Sequence, residues 1–184
     1  MKLTITPAPL DPLGRAFVAL IVVFLLLIWL TGIYAYTTVP DRIPTHFDLS
    51  GKPDAFGNRL TFLLLPIVFS LAPVIIMLLV RFRFTLVNGF PYLVNLPAFF
   101  AQLGQLPEER QSYWLNKYFE FVAAVGVAVS AFLLALFLGI YTGTLEGEMP
   151  WWFTVMTVAF PLILIASFVI ALRAMSVRLR DEIG

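Results

Sequence analysis

The sequence contains no cysteine, a single histidine, and few charged residues, which make up 12% of the chain. The absence of cysteine excludes disulfide bonds, thiolate-bound metals and thiol nucleophiles together. The one histidine, His46, leaves a thin ligand set for a tight zinc site, because such sites usually combine several histidine or cysteine ligands. The sequence also lacks a glycine-rich phosphate loop, a nucleophile elbow and a paired metal-histidine motif.

Apolar residues, in contrast, are abundant. They make up 60% of the 184 residues, and the mean hydropathy is +0.92. A soluble domain of this size could not bury so much apolar surface. Four stretches without Asp, Glu, Lys or Arg are long enough, at about 1.5 Å per residue, to cross a hydrocarbon core of about 30 Å. We therefore predict an all-α integral membrane protein, a single membrane domain (1–184) whose four transmembrane helices cover about 16–38, 60–80, 121–142 and 151–172.

None of the four predicted spans contains Asp, Glu, Lys, Arg or His. Intramembrane ionisable residues usually mark proton relays, ion paths and voltage sensors. Their absence argues against an ion-coupled transporter, a pump or an intramembrane protease formed by this chain alone. The third span carries small residues, including Gly126, Ser130 and Gly139, that permit close helix approach. We favour packing within the chain's own bundle for them, with dimerisation as the alternative.

The basic residues predict the orientation in the membrane. If the spans alternate, one side holds Lys2, Arg15, Arg81, Arg83, Arg110, Lys117, Arg173, Arg178 and Arg180, and the other holds Arg42, Lys52 and Arg59. The positive-inside rule then puts both ends of the chain in the cytoplasm and the loop of residues 39–59 outside the cell membrane. The first apolar run is longer than that of a secretory signal, about 7 to 15 residues, so we expect a retained helix.

The segment between the second and third spans (81–120) has two parts. Residues 84–107 are apolar but are broken by asparagine, glycine and proline. Because a lipid-exposed irregular backbone cannot cross the bilayer core, we expect an interfacial segment, with a re-entrant one as the alternative. After Pro107, apolar residues such as Trp114 and Tyr118 recur at helical spacing. This pattern predicts an amphipathic helix that leads into the third span.

The loop of residues 39–59, VPDRIPTHFDLSGKPDAFGNR, has a clear local pattern. Pro40 and Pro44 restrict the backbone and favour extended conformations before them. From Thr45 onward, alternation places Phe47 and Leu49 on one side.

His46, Asp48 and Ser50 then lie on the other side of this extended segment. Turn residues follow, with Gly51 and Gly57 available for positive φ. Together these features predict a folded, hairpin-like cap over the outer end of the helix bundle.

The same loop resembles a known family. Its signature is Leu-Pro, then Ile/Val-Pro-x-His, a glycine five residues on, and then Asp and Gly before a basic residue, after a transmembrane span; this chain has Val39 where the signature usually has leucine. The matching positions are Pro40, Ile43, Pro44, His46, Gly51, Asp54, Gly57 and Arg59. In this respect the chain resembles the domain of unknown function at the N-terminus of SdpI-type bacterial immunity membrane proteins, in a short form without their second membrane domain.

The resemblance adds an expectation about function. SdpI-type proteins resist a secreted antimicrobial peptide and, when engaged by it, retain a transcriptional repressor at the membrane. An immunity or signalling role is therefore the expectation that the resemblance adds, although it does not extend to the immunity half of those proteins.

His46 has three interpretations. It donates a hydrogen bond to a backbone carbonyl or to Asp48 and holds the cap together, which we favour. Alternatively it binds a peptide or another partner, or it ligates a metal with Asp48, Asp54 or Asp41. Asp54 is most simply a turn residue after Pro53.

Arg59 is expected to anchor the second span at the lipid headgroups, with ligand binding as the alternative. Together with His46, Asp48 and Asp54, it completes the set of candidate binding residues. Pro40, Pro44, Gly51 and Gly57 are expected to shape the backbone.

These observations lead to a functional hypothesis. We expect a non-enzymatic membrane protein, without a cofactor, whose outer loop recognises a peptide or an envelope partner. One alternative is an accessory subunit of a larger membrane complex that packs through the third span. Another is a small membrane enzyme with His46 as base and Asp48 as its orienting group. A net charge of +1 does not support nucleic-acid binding.

Overall fold

The computed structural model of the protein describes residues 4–48, 50–90 and 101–183. Four of its helices are long and apolar enough to cross a membrane, which confirms a multi-pass membrane protein with four spans. In chain order the elements are α1 (Pro12–Thr38), β1 (Arg42–Phe47), β2 (Pro53–Asn58), α2 (Thr61–Arg81), α3 (Arg83–Gly89), α4 (Glu108–Glu146) and α5 (Trp151–Ile183).

The last two helices are longer than their predicted spans. The amphipathic segment after Pro107 continues into the third span without a break, so that α4 has 39 residues. It ends because Gly147 adopts a φ of +71° and its N–H bonds to the carbonyl of Gly143 at 2.9 Å, a left-handed cap that glycine accepts without strain. After Pro150, α5 runs for 33 residues through the charged tail.

The segment between α2 and α4 is only partly described. Its beginning forms the short helix α3, and residues 91–100 lie outside the described residues, so the choice between an interfacial and a re-entrant path is not settled there. The end of the segment packs on the bundle, because Leu103 and Leu106 are buried in the same cluster as Trp114 and Leu115 of α4.

Helices α1, α2 and α4 form the core of the bundle and cross at glycines. A Cβ atom added to Gly32 of α1 would lie 2.4 Å from Cγ of Pro66 in α2. A Cβ atom added to Gly126 of α4 would lie 2.7 Å from Ile21 and 2.8 Å from Ile76. At Gly32 the carbonyl oxygen of Phe62 would also lie only 2.9 Å away, so this glycine sets the distance between α1 and α2, whereas Gly126 makes room for the ends of two isoleucine side chains. The small residues of the third span are therefore used inside the bundle.

Helix α5 lies on the outside of this core and packs on α4. Phe160 stacks on Phe132 with ring centroids 4.0 Å apart. A Cβ added to Gly139 would lie 2.5 Å from the ring of Phe153. Leu179 is the single buried residue of this fully described helix. Most of the surface of α5 is consequently available to lipid.

The end of the bundle away from the hairpin, here called the basic end, contains a buried arginine. Arg83 is 7% exposed. Its Nε donates to Oδ1 of Asn116 at 2.7 Å, one terminal nitrogen to the carbonyl of Val80 at 3.0 Å, and the other to the carbonyl of Ala8 at 2.7 Å. Burial lowers the pKa of Arg83, with the nearby charge of Arg81 as a smaller cause. The sequence pattern indicates Arg83 only as one of the basic residues that predict orientation.

Arg83 and its neighbours hold the extended N-terminal segment across the basic end. Asn88 receives a hydrogen bond from the N–H of Ile5 at 2.8 Å and donates one to its carbonyl at 2.9 Å. Ser112 donates to the carbonyl of Thr6, and Asn116 to that of Pro9. Side chains thus replace the missing secondary structure as partners for this backbone. We call residues 4–11 the N-terminal strap.

An ion pair fixes the strap where it enters α1. Lys117 lies 2.8 Å from Asp11 and 3.1 Å from Glu120. The hydrogen bond to Asp11, followed by that to Glu120, raises the pKa of Lys117 to about 12. The lysine is therefore charged throughout the neutral pH range, and the strap is tied to α4 by charge as well as by hydrogen bonds.

Replacing Arg83 by methionine is expected to destabilise the protein and release the strap. The change leaves Asn116 and the carbonyl of Ala8 without their donor, and hydrogen bonds to charged groups contribute about 1.5–3 kcal/mol each. The matched control is Arg81→Met, because Arg81 is exposed. Thermal unfolding in detergent should show a clearly lower Tm for Arg83→Met alone. Hydrogen exchange of residues 4–10 should accelerate in the same variant; equal behaviour of the two variants would contradict this assignment.

Candidate functional site at the hairpin end

The loop between α1 and α2 forms the hairpin expected from its sequence. Strands β1 and β2 pair antiparallel, with Arg42 opposite Asn58 and Ile43 opposite Gly57. Ile43 is 1% exposed and packs in one cluster with Val39, Phe62 and Phe137. The first strand is thus anchored in the bundle, and the hairpin covers the ends of α1, α2 and α4.

The two prolines and Gly57 have distinct places in this hairpin. Pro40 follows Val39, whose extended backbone ends α1, and a proline cannot continue a helix. Pro44 is half-buried within β1 opposite Phe56. We expected Gly57 to supply a positive φ, and that is wrong. Glycine suits this position for a different reason, because a Cβ atom there would lie 2.7 Å from Cγ2 of Thr45 on the facing strand.

The carboxylate of Asp48 organises the turn between the strands. Its Oδ1 accepts hydrogen bonds from the N–H of Ser50 at 2.8 Å, the hydroxyl of Ser50 at 2.7 Å and the N–H of Lys52 at 3.0 Å. These bonds, that of the Ser50 hydroxyl first, lower the pKa of Asp48. Asp48 is therefore a turn residue, because its carboxylate mimics a backbone acceptor.

The turn is tied to the opposite loop of the bundle. Gly51 has a φ of +83°, the left-handed conformation expected for it, and its carbonyl accepts a hydrogen bond from the N–H of Met149 at 2.9 Å. Met149 lies in the short connection between α4 and α5. The hairpin tip is thus joined to the start of the last helix.

His46 pairs with Asp54 across the hairpin. Nδ1 of His46 lies 2.5 Å from Oδ1 of Asp54, and the two side chains are 67% and 48% exposed. The expected pairing with Asp48 is wrong for two reasons. The carboxylate of Asp48 is occupied in the turn, and register irregularities on both sides of His46 break the strict alternation, since bulges re-aim side chains.

Arg59 closes the base of the hairpin. Its Nε lies 3.0 Å from Oδ1 of Asp41, and its guanidinium lies 5.0 Å from the centre of the Tyr36 ring. The N–H of Arg59 also donates to the carbonyl of Asp41 at 3.0 Å. Arg59 therefore fastens the start of α2 to the end of α1, and it stands apart from the pair of His46 and Asp54.

A groove lies between β1 and the helix ends beneath it. It encloses about 320 Å³ and has a mainly apolar floor and a polar rim. The apolar floor includes Ile43, Phe47, Phe62, Leu65, Ile140 and Phe153, and the rim includes His46, Asp48 and Thr154. Of the candidates from the sequence, His46 and Asp48 therefore reach this groove. Its far wall, formed by Met149, Phe153 and Thr154, was missed, because nothing local in the sequence links residues so far apart.

The described residues contain no group of three or more His, Asp or Glu side chains that could hold a metal ion. His46 and Asp54 together supply two exposed ligands, and Asp48 is engaged by three hydrogen bonds. A tight zinc site needs three or four ligands in tetrahedral arrangement. Partner binding thus fits these side chains better than metal binding.

Comparison with known proteins places the hairpin in a recognised domain. Residues 23–69, from the middle of α1 through the hairpin into α2, match the domain of unknown function DUF1648. An uncharacterised protein of the archaeon Archaeoglobus fulgidus is 40% identical over 185 residues, covering 99% of this chain and 100% of the relative. The chain belongs to the family of this archaeal protein and carries a DUF1648 domain. No solved structure matches the chain.

The family relationship extends beyond the hairpin. The DUF1648 match covers the strands and the adjoining parts of α1 and α2, but Met149 and the start of α5, which complete the groove, lie outside it. The archaeal relative matches along the whole chain. A full-length relative is therefore the suitable source of a second protein in which to test the groove.

Removing Asp48 should destabilise the hairpin more than removing His46. Asp48→Ala loses three hydrogen bonds of the turn, whereas His46→Ala loses one exposed pair, and exposed ion pairs contribute little. In thermal unfolding in detergent, the wild type should have the highest Tm, His46→Ala a slightly lower one and Asp48→Ala the lowest. Neither Zn²⁺ nor a chelator should shift any of them. A Zn²⁺-dependent rise in wild type that His46→Ala abolishes would instead establish a metal site.

Proposed function

We propose that this protein is a non-enzymatic membrane protein of the cell membrane whose hairpin recognises a peptide or envelope partner outside the cell, in an immunity or signalling role. The observation that carries the proposal is the groove beneath β1. Its volume lies at the lower end of the range typical of ligand sites, about 300–1,000 Å³, and its apolar floor with a polar rim suits a short apolar peptide segment. The resemblance of the hairpin to SdpI-type immunity proteins supports the same class of partner.

The position of the groove also supports a peptide as its occupant. The hairpin has two strands, so each strand has an edge without a partner in the sheet. An extended peptide beside β1 would meet that edge and set its side chains into the groove, a common mode of peptide recognition. His46 and Asp54 are exposed and could contact polar parts of the same peptide.

The charge distribution supports the orientation. Arg15, Arg81 and Arg83 lie together at the basic end, and Lys117 is tied there to the strap. Basic residues near short loops favour the cytoplasmic side. The hairpin end would then face the outside, where a secreted peptide is met.

The lack of cysteine provides a clean test of this orientation. Ala55→Cys places a thiol on the exposed face of the hairpin, and Gln105→Cys places one on an exposed position at the other end. In intact cells a membrane-impermeant maleimide should label Ala55→Cys and should label Gln105→Cys only after the cells are lysed. The reverse pattern would overturn the proposed orientation.

Filling the groove should abolish recognition. Thr154 lines the groove, whereas Thr157, one turn further along α5, is exposed and is not part of its lining. Cells that express the wild type should survive better under at least one member of a panel of secreted antimicrobial peptides. Thr154→Trp should remove this gain, because the indole occupies the groove, and Thr157→Trp should keep it.

Membrane abundance and Tm of both variants serve as folding controls. Equal protection by two well-folded variants would exclude the groove as the recognition site. An absence of protection by the wild type across the panel would count against the immunity role itself.

One observation favours a second candidate, a small membrane enzyme. His46 is held at Nδ1 by Asp54, the arrangement in which a carboxylate orients a histidine that acts as a general base. Within the described residues, Nε2 of His46 has no hydrogen-bond partner. This candidate requires a turnover that His46→Ala abolishes and that Asp54→Asn reduces, while Thr154→Trp affects substrate binding.

A further inference from the structure

A second, larger groove lies at the basic end, on the side of the bundle where α1 and α2 meet the strap. It encloses about 840 Å³. Apolar residues line its depth and arginines line its mouth; they include Val18, Leu25, Val74, Leu78, Arg15 and Arg81. Val18 and Leu25 are seven residues apart, as are Val74 and Arg81, so each pair lies on one helix face about 10 Å along the axis. The groove is thus an apolar slot that runs from the charged end into the spans.

The arginines at its mouth have no acidic partner. Arg59, Arg110 and Lys117 each pair with a carboxylate, whereas no ion pair of Arg15 or Arg81 exists among the described residues. The lining of the groove contains no Asp or Glu, and residues 91–100 contain none in the sequence.

The carboxylates of Asp11 and Glu120 near the start of α1 are both bound by Lys117, at 2.8 Å and 3.1 Å. Arg83 adds a third positive charge to the wall, and its own donors are used by Asn116 and two carbonyls. Within the described part of the chain, the groove is therefore lined by three positive charges and by no carboxylate.

We propose that this groove binds an anionic phospholipid, with the headgroup phosphate between Arg15 and Arg81 and one acyl chain along the apolar slot between α1 and α2. Charge complementarity selects the anion, because arginine binds phosphate oxygens through several donors at once. The apolar depth selects an amphiphile over a free anion. Lipid is present at high local concentration at this depth, since the slot continues along helices long enough to span the membrane.

The bound lipid would act on the fold. The wall of the groove includes Pro7 to Leu10 of the strap as well as both helices. A ligand that contacts all three binds only the state in which the strap is docked, and it stabilises that state by mass action. The lipid composition of the membrane would thus set how firmly the strap is held.

The test places the protein in nanodiscs of phosphatidylcholine, with and without phosphatidylglycerol. Native mass spectrometry measures the lipid that the protein retains, and thermal unfolding measures its Tm. Phosphatidylglycerol should be retained and should raise the Tm. The double variant Arg15→Gln/Arg81→Gln should bind it roughly 25-fold more weakly, since each basic residue near a membrane surface contributes a factor of about five. The matched control, Arg178→Gln/Arg180→Gln, removes the same charge from α5 at the same end and should bind like the wild type.

A second pair of variants distinguishes lipid binding in the apolar slot from lipid attraction by surface charge alone. Leu25 lines the groove, and its neighbour Leu26 is 59% exposed on another face of α1. Leu25→Trp should reduce retention of phosphatidylglycerol with all arginines in place, and Leu26→Trp should not.

Three outcomes would overturn the proposal. If both double-arginine variants lost phosphatidylglycerol equally, the lipid would be held by general attraction to the positive charges of the basic end and not by this groove. Unchanged retention by Leu25→Trp would exclude the slot. A Tm rise with inorganic phosphate in phosphatidylcholine nanodiscs as large as that with phosphatidylglycerol would make this a site for free anions.

Discussion

The close crossing of α1 and α2 at Gly32 and Pro66 is the constraint on which the rest of this structure depends. Within a membrane, lipid tails are as apolar as leucine, so helices associate through van der Waals contact and have little hydrophobic driving force. A Cβ at Gly32 would meet Pro66 at 2.4 Å, which shows how near the two backbones come. The hairpin joins the end of α1 to the start of α2, and the distance between these helices therefore sets the width of its base. The pair of Arg59 and Asp41 and the buried Ile43 fit that width.

The hairpin contains residues that build its turn and, separately, polar side chains that are exposed to solvent. Asp48 and Gly51 shape the turn and fasten it to Met149, whereas His46 and Asp54 stand in solvent. A polar residue that satisfies backbone groups is costly to change, and one in solvent is not. The signature of this loop thus mixes residues that build the hairpin with residues that remain free to contact a partner.

Much of the fold could be predicted from the sequence, because its causes are local. Apolar runs indicate spans regardless of the rest of the chain, and the prolines and glycines of residues 39–59 indicate a hairpin from their own backbone limits. The partner of His46 could not be predicted, because it depends on a register irregularity between Pro44 and Phe47. The burial of Arg83 could not be predicted, because it depends on the carbonyl of Ala8 in the strap, 75 residues earlier in the chain. The far wall of the groove likewise comes from residues that only the packing of α5 brings near the hairpin.

The peripheral place of α5 has a consequence for the order in which the molecule matures. This helix contributes Phe153 and Thr154 to the groove, yet it packs mainly on α4 and is otherwise exposed. The first three spans can therefore assemble, with their glycine crossings complete, while the groove still lacks a wall. Only docking of the last helix and closure of the bond between Gly51 and Met149 finish it. A chain halted before that step would lack the wall that α5 contributes, and the hairpin would face an incomplete site.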